Sequence, residues 1–413
     1  MVRNHASLAI WCGGNEITPP EDILAALKDT IMPQLDNTRW FVDYSNSDSM
    51  SYNTLLGNGD GPYGIQPLSV FWEHQTYPFN SEVGSVGLSD IEALKRFIPA
   101  DQLNAPQYDE STHKTKTDEV WNYHKYIGYD TSINKYGEAK NAEDFAFKAQ
   151  LVNYDQYRGL MAGFSSHMWD LYPGALIWKT QNPWTALRGQ MYDYYLDPNA
   201  CLYGLHNGSE PLHVMYNPVN GVVMAVNNTF KQHASMMLVV KTYDMNGQET
   251  LLSQAFVDIG PTSAKKFFSV KREVDKLAAK EGLFLDLELL DADKKPVSQN
   301  IYWIADSKNN YSGLQKMEPA KLTSTARYLQ PGKVEVTLSN DKQNAPAFFN
   351  RVSLTDNDTK NRLLPVFYSD NYVTVLPGEQ KKIIIDCDQF KGKKMTVAVN
   401  GWNTALRYIT IDN

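Results

Sequence analysis

Two strand-like apolar runs in this chain end in small residues and a single carboxylate. One is Leu8-Ala9-Ile10-Trp11-Cys12, followed by Gly13-Gly14-Asn15-Glu16. The other is Tyr77-Pro78-Phe79-Asn80-Ser81-Glu82, followed by Val83-Gly84-Ser85. A (β/α)8 barrel offers its reacting groups in this way, at the C-terminal ends of its parallel strands. Two carboxylates facing one cleft are what glycoside hydrolysis requires. The pattern therefore predicts barrel strands early in the chain, with Glu16 and Glu82 at one end of them.

The surrounding sequence reads as alternating strands and helices. Strands are predicted at residues 7–12, 40–44, 70–71, 78–81 and 174–179. Pro20-Glu21-Asp22-Ile23 opens a helix with acidic residues in its first turn, which suits the dipole there. Ser89 is an N-cap candidate for a helix with apolar residues at Ile91, Leu94 and Phe97. A longer helix spans roughly 142–169 and places Phe147, Leu151, Tyr154, Tyr157, Leu160 and Phe164 at three-to-four spacing. After about Leu205 the pattern changes to strand runs at 222–228, 236–240, 283–287 and 301–304, separated by polar turns, with one helical run at 274–279. A polar stretch at 306–321 precedes further strand runs at 333–338, 350–354, 382–386 and 395–399. Three units are expected: 1–205, then antiparallel β-sandwiches at 206–312 and 318–413.

Several longer motifs carry a resemblance. Trp11-Cys12-Gly13-Gly14-Asn15-Glu16 and Phe79-Asn80-Ser81-Glu82 resemble the acid/base and nucleophile motifs of glycoside hydrolase family 2. Gly13 to Pro20, Gly174 to Trp184, Asp193-Tyr194-Tyr195, Ser369-Asp370-Asn371-Tyr372, Leu376-Pro377-Gly378-Glu379 and Gly401-Trp402-Asn403 are similar to the endo-β-mannosidase and exo-β-glucosaminidase branch. The resemblance covers nearly the whole chain. It implies that the unit 1–205 is the later part of a TIM barrel, strands four to eight, and that the sandwiches at 206–312 and 318–413 are immunoglobulin-like. It further implies a retaining β-glycosidase of β-mannosidase type, with Glu16 as acid/base and Glu82 as nucleophile, about 5–5.5 Å apart. Glu16 has to keep its proton until the leaving oxygen takes it. Asn15 would bond the sugar 2-hydroxyl, Trp178 would form a saccharide platform, and Tyr63 and Trp184 are further contacts. Trp72, Glu73 and His74 lie near the sixth strand, His74 as a structural histidine. Exo-β-glucosaminidase is the first alternative, although that branch often carries Ser-Asp where Asn15-Glu16 stands. β-Galactosidase and a non-catalytic carbohydrate-binding or scaffold role are the others. Strands one to three and the β-domains preceding them in the family are expected to belong to a longer parent enzyme, and this piece alone is expected to be inactive.

Composition narrows the partners. The 413 residues carry a formal charge of −8 without a basic cluster, so a phosphate backbone is not the expected partner. Aromatics are 12 % of the chain, enough both for packed cores and for stacking on pyranose faces. No run is long and apolar enough for a membrane span. The cysteines Cys12, Cys201 and Cys387 are too dispersed for a zinc site or a disulfide framework. Cys12, on a barrel strand, is expected to be a buried thiol. The expected ligand is an oligosaccharide or glycan, and the chemistry calls for no cofactor or metal. Residues 1–5 lack the apolar core of a signal peptide. For the parent, an exported, periplasmic or secreted location is expected by analogy with glycan-degrading relatives.

Overall fold

The computed structural model describes residues 2–45, 61–73, 79–117, 119–129, 131–169 and 174–412. The first stretch is a parallel β–α–β unit. Strand β1 (Ile10–Cys12) pairs with β2 (Trp40–Val42), Trp11 opposite Phe41. The helical crossover between them runs through α1 (Glu21–Ala25), a π turn (Ala26–Ile31) and α2 (Met32–Leu35). Pro33 has no N–H to return to the preceding turn, which accounts for the widened helix just before it. Asp36 closes the unit. Its carboxylate accepts from Trp11 Nε1 at 2.9 Å, Thr38 Oγ1 at 2.7 Å and Arg39 Nη1 at 2.5 Å. These donors, Trp11 foremost, hold the Asp36 carboxyl well below the usual range. Among the described residues of this unit only Asp36 and Val42 are buried, while Ile23, Leu35 and Trp40 are each at least half exposed. Cys12, expected to be buried, is exposed, because no second layer lies over β1 among the described residues.

A second parallel pair joins β3 (Phe79–Val83) to β6 (Gly174–Ile177), with Asn80 opposite Ala175 and Val83 opposite Ile177. Among the described residues the two pairs remain separate and do not merge into one sheet. The strand expected at 70–71 is instead helix α3 (Leu68–Glu73). Two apolar residues do not define a period. Here Phe71 and Trp72 are buried with Leu160 and Phe164. Between β3 and β6 lie α4 (Ile91–Phe97), the hairpin β4 (Gln107–Asp109) and β5 (Lys114–Lys116), α5 (Glu119–Tyr123) and α6 (Ala142–Ser166). Asp90, not Ser89, is the N-cap residue of α4. Asn141 caps α6, its side chain accepting from Asp144 N–H at 2.9 Å. Helix α7 (Ala200–Gly208) crosses α6 closely at Gly204, where a Cβ would lie 2.2 Å from the Tyr154 carbonyl oxygen.

The rest is all β apart from one helix and short turns. A three-stranded sheet, in the order β11–β8–β7, uses β7 (Leu212–Tyr216), β8 (Val222–Asn227) and β11 (Ser263–Ser269). It faces a four-stranded sheet, β10–β9–β12–β13, made of β9 (His233–Tyr243), β10 (Glu249–Ile259), β12 (Leu283–Leu290) and β13 (Pro296–Ile304). Val214, Leu238, Val240, Leu285 and Leu287 fill the space between them, flanked by α8 (Lys271–Ala278). The C-terminal unit contains β14 (Thr323–Gln330), β15 (Lys333–Ser339), β16 (Ala347–Asp356), β17 (Phe367–Tyr368), β18 (Val373–Val375), β19 (Gln380–Asp386), β20 (Met395–Asn400) and β21 (Arg407–Asp412). Its strands connect in the order β17–β19–β15–β14–β21–β20–β16–β18. The link between β14 and β21 is parallel, Ala326 opposite Ile411, so this unit is not antiparallel throughout as expected.

The β-units are fastened to α6 and α4. Arg158 on α6 is buried, donates to the Ile301 carbonyl at 2.6 Å, pairs with Asp155 at 2.7 Å and lies 4.3 Å from the Tyr302 ring centroid. Phe147 and Tyr154 meet Phe349 edge-on. Arg351 on β16 binds Asp90 at 2.9 Å and both oxygens of Glu92 at 3.1 and 2.9 Å.

Candidate active site

Glu82 lies on β3, beside a segment stitched to the strand by backbone and amide groups. Gly61 N–H donates to the Glu82 carbonyl at 2.6 Å, and Gly84 N–H to the Pro62 carbonyl at 3.2 Å. The buried Asn80 completes the frame. Its Nδ2 donates to the Gly61 carbonyl at 2.7 Å, and its Oδ1 accepts from Glu82 N–H at 3.0 Å. Tyr63 is thereby held over the carboxylate, and its hydroxyl donates to Glu82 Oε2 at 2.7 Å. That is a charge-assisted bond of ordinary strong length.

Trp178 approaches from the end of β6, donating its N–H to the Val83 carbonyl at 2.9 Å. Only glycine fits beside it at position 84, since a Cβ there would sit 2.0 Å from the Trp178 carbonyl oxygen. The Trp178 ring meets Tyr63 edge-on, with centroids 5.4 Å apart. Two cations attend the same ring: Lys179 Nζ is 4.6 Å and the Arg188 guanidinium carbon 5.1 Å from its centroid. Desolvation, then the nearby Arg188 charge, lowers the Lys179 pKa. Lys179 also bonds Asn182, whose Nδ2 donates to Gln190 Oε1 at 2.8 Å.

Glu16 follows β1 in the left-handed region, at φ 57°. Such a conformation is uncommon outside glycine. Its N–H donates to Ser45 Oγ at 3.0 Å, while Ser45 N–H donates to the Gly14 carbonyl at 3.0 Å. Glu16 and Asn15 are both exposed. The two carboxylates thus stand on different strand pairs.

The structure brings Tyr63, Glu82 and Trp178 together. Trp184 belongs to a separate aromatic group, stacked on His124 at 5.9 Å and edge-on to Tyr123 at 6.0 Å. Trp72 is buried and Glu73 exposed, whereas His74 lies outside the described residues. Sequence reading missed Lys179 and Arg188. The only signal was the adjacency of Lys179 to Trp178, and nothing local pointed to Arg188. It also missed an acidic group far along the chain. Asp286, Glu288 and Glu379 hold carboxylate oxygens within 4.8 Å of one another. Gln299 Nε2 bridges Asp286 and Glu379 at 3.0 and 2.7 Å, and Lys241 pairs with Glu288 at 2.7 Å. Burial, then the neighbouring carboxylates, pushes Asp286 up to about 8.

Comparison with known proteins now adds the lineage. Residues 222–309 match the mannosidase Ig/CBM-like domain, and residues 300–404 match the exo-β-D-glucosaminidase Ig-fold domain. Across its full length the chain is 30 % identical to a mannosylglycoprotein endo-β-mannosidase of Lilium longiflorum, covering 53 % of that protein. The homologues are thus a mannosylglycoprotein endo-β-mannosidase and exo-β-D-glucosaminidases. An exo-β-D-glucosaminidase of Amycolatopsis orientalis is 28 % identical over 86 % of this chain and 38 % of its own length. The chain spans about half the length, or less, of these curated relatives. The crystal structure of the A. orientalis exo-chitosanase CsxA shares its fold, with a TM-score of 0.80 and 24 % identity, over 99 % of this chain and 52 % of that one. A β-D-mannosidase from Dictyoglomus thermophilum does so with a TM-score of 0.71 and 16 % identity, over 98 % and 49 %.

Proposed function

We propose that this chain carries the catalytic carboxylates of a retaining β-glycosidase of β-mannosidase type. The observation that carries this reading is the Tyr63 hydroxyl bound to Glu82 at 2.7 Å, with Trp178 alongside. In the proposed reaction Glu82 attacks the anomeric carbon while Glu16 protonates the departing oxygen. Glu16 then takes a proton from water, which attacks the same carbon and frees Glu82. Asn15 would meet the sugar 2-hydroxyl, and Trp178 would receive the sugar ring. The strand pairs β1/β2 and β3/β6 would be parts of one barrel, its other strands packing on the exposed apolar side chains Ile23, Leu35 and Trp40. The units from 206 and from 318 onward would be its supporting immunoglobulin-like domains.

The charge around Trp178 supports a neutral sugar. Lys179 and Arg188 would repel the ammonium of a glucosamine residue, while a mannoside carries no such charge. An exo-β-glucosaminidase is the second reading, supported by the family match over residues 300–404.

The test uses the native gene product, with any residues it carries beyond these 413. Aryl β-mannoside and aryl β-glucosaminide are compared, and Glu82→Gln should nearly abolish turnover. Glu16→Gln should spare activated aryl glycosides in the first step and be rescued by azide, giving a β-glycosyl azide because two inversions restore configuration. Full activity of Glu82→Gln, or an α-azide, would overturn the assigned roles. Faster cleavage of the glucosaminide would select the second reading.

A further inference from the structure

A cleft of about 420 Å³ lies away from Glu82, between α4, the loop at 193–197 and the C-terminal β-unit. That volume is within the range of small-molecule sites, roughly 300–1,000 Å³. Arg362 is set into its wall with a side chain only 7 % exposed. Its Nη2 donates to Asp197 Oδ1 at 2.5 Å, but Nε and Nη1 are buried without a hydrogen-bond partner. Leaving charged donors unmatched in a protein interior is costly, and most buried guanidinium groups find acceptors.

The local acids do not supply them. Glu92 is taken by Arg351, and Asp197 is shared between Arg362 and Arg351, the latter at 3.7 Å. Asp193 Oδ1 accepts from the N–H groups of Tyr195 and Asp197, and burial pushes this carboxyl up to about 6. Two further cations line the cleft on aromatic rings. Arg96 lies 4.3 Å from the Tyr195 centroid, and Lys360 Nζ lies 5.0 Å from that of Tyr408.

We propose that this cleft is a second ligand site, binding an acidic sugar through its carboxylate. Arg362 supplies the N–H donors, Arg96 and Lys360 supply positive charge at the rim, and Tyr195 and Tyr408 flank the sugar ring. A carboxylate and an inorganic phosphate share the oxyanion chemistry. The two aromatic walls favour the sugar-borne group, because a bare phosphate has no apolar face to place on them.

Calorimetric titration of the native gene product with glucuronate, glucose and inorganic phosphate, at low salt, tests this. Glucuronate should bind about tenfold more tightly than glucose, the effect of one charge-assisted hydrogen bond. Arg362→Gln strands Asp197 and can unfold the region, so the decisive variants are Arg96→Gln and Lys360→Gln, judged only with an unchanged melting temperature. Each should weaken glucuronate severalfold and leave hydrolysis of aryl glycosides unaltered. Equal binding of glucuronate and glucose, no binding of either, or glucuronate binding indifferent to both variants would overturn the site. Phosphate binding without glucuronate binding would overturn the sugar assignment. Because the readout is binding, its failure is independent of the proposed hydrolysis.

Discussion

Removing one oxygen from Tyr63 tests the geometry around Glu82. Tyr63→Phe keeps the ring that meets Trp178 at 5.4 Å and deletes only the donor 2.7 Å from Glu82 Oε2. A hydrogen bond to a charged group contributes about 1.5–3 kcal/mol, or roughly 10- to 150-fold in rate if fully expressed. The step it serves follows from the charge. Glu82 loses negative charge as it attacks and regains it as it leaves. The Tyr63 bond therefore weakens during glycosylation and strengthens during release. In the native gene product kcat should fall toward that range on an activated aryl glycoside, and KM should fall with it as the glycosyl-enzyme accumulates. A rapid-quench burst should appear, while kcat/KM changes less. Equal losses in kcat and kcat/KM without a burst would refute the argument and leave Tyr63 as a positioning residue for the attack. A change under about threefold in every parameter would remove it from the reaction.

Other expectations concern stability. Gly84→Ala should lower stability by about 1–3 kcal/mol or more in urea unfolding, because its Cβ would overlap the Trp178 carbonyl. Arg158→Met removes the partner of Asp155 and the donor to Ile301, and should cost about 3–5 kcal/mol in the same assay. Asp286→Asn should flatten the pH dependence of stability. In the native protein the raised folded pKa makes the folded state bind the extra proton, so this contribution is complete below about 4 and is lost as pH rises toward about 8. Melting curves across that window that fall equally steeply in both proteins would contradict the assignment.

Much of this was legible because short motifs met strong local rules. The Asn80-Ser81-Glu82 run announced a strand end, and Asn80 turned out to bond both Gly61 and Glu82. The long helix at 142–166 declared itself by its apolar spacing. Strands β10 and β11 did not, since β10 lies mostly exposed, β11 has no fully buried residue, and both lack a clean apolar alternation. The pair at 70–71 was too short to distinguish strand from helix. Arg188 was invisible because it meets Trp178 across a loop without regular spacing, and the Arg362 cleft because its walls come from distant parts of the chain, which periodicity cannot report. Cys12 failed for a similar reason. Burial depends on what covers a strand, and the strand's own residues do not specify that cover.

The fastening of α6 on two flanks has a consequence for chimeras. Toward one side, Tyr157 Oη accepts from Ser85 N–H at 3.2 Å and Asn153 Nδ2 donates to the Leu88 carbonyl at 3.1 Å, just beyond the Glu82 strand. Toward the other, Arg158 and Phe147 grip Ile301 and Phe349. A recombinant that splices foreign β-units after residue 208 would therefore inherit α6 without its counterparts. The smallest exchangeable block starts no later than the Glu82 strand and runs to the C-terminus, and a crossover inside it should disturb that strand from a distance.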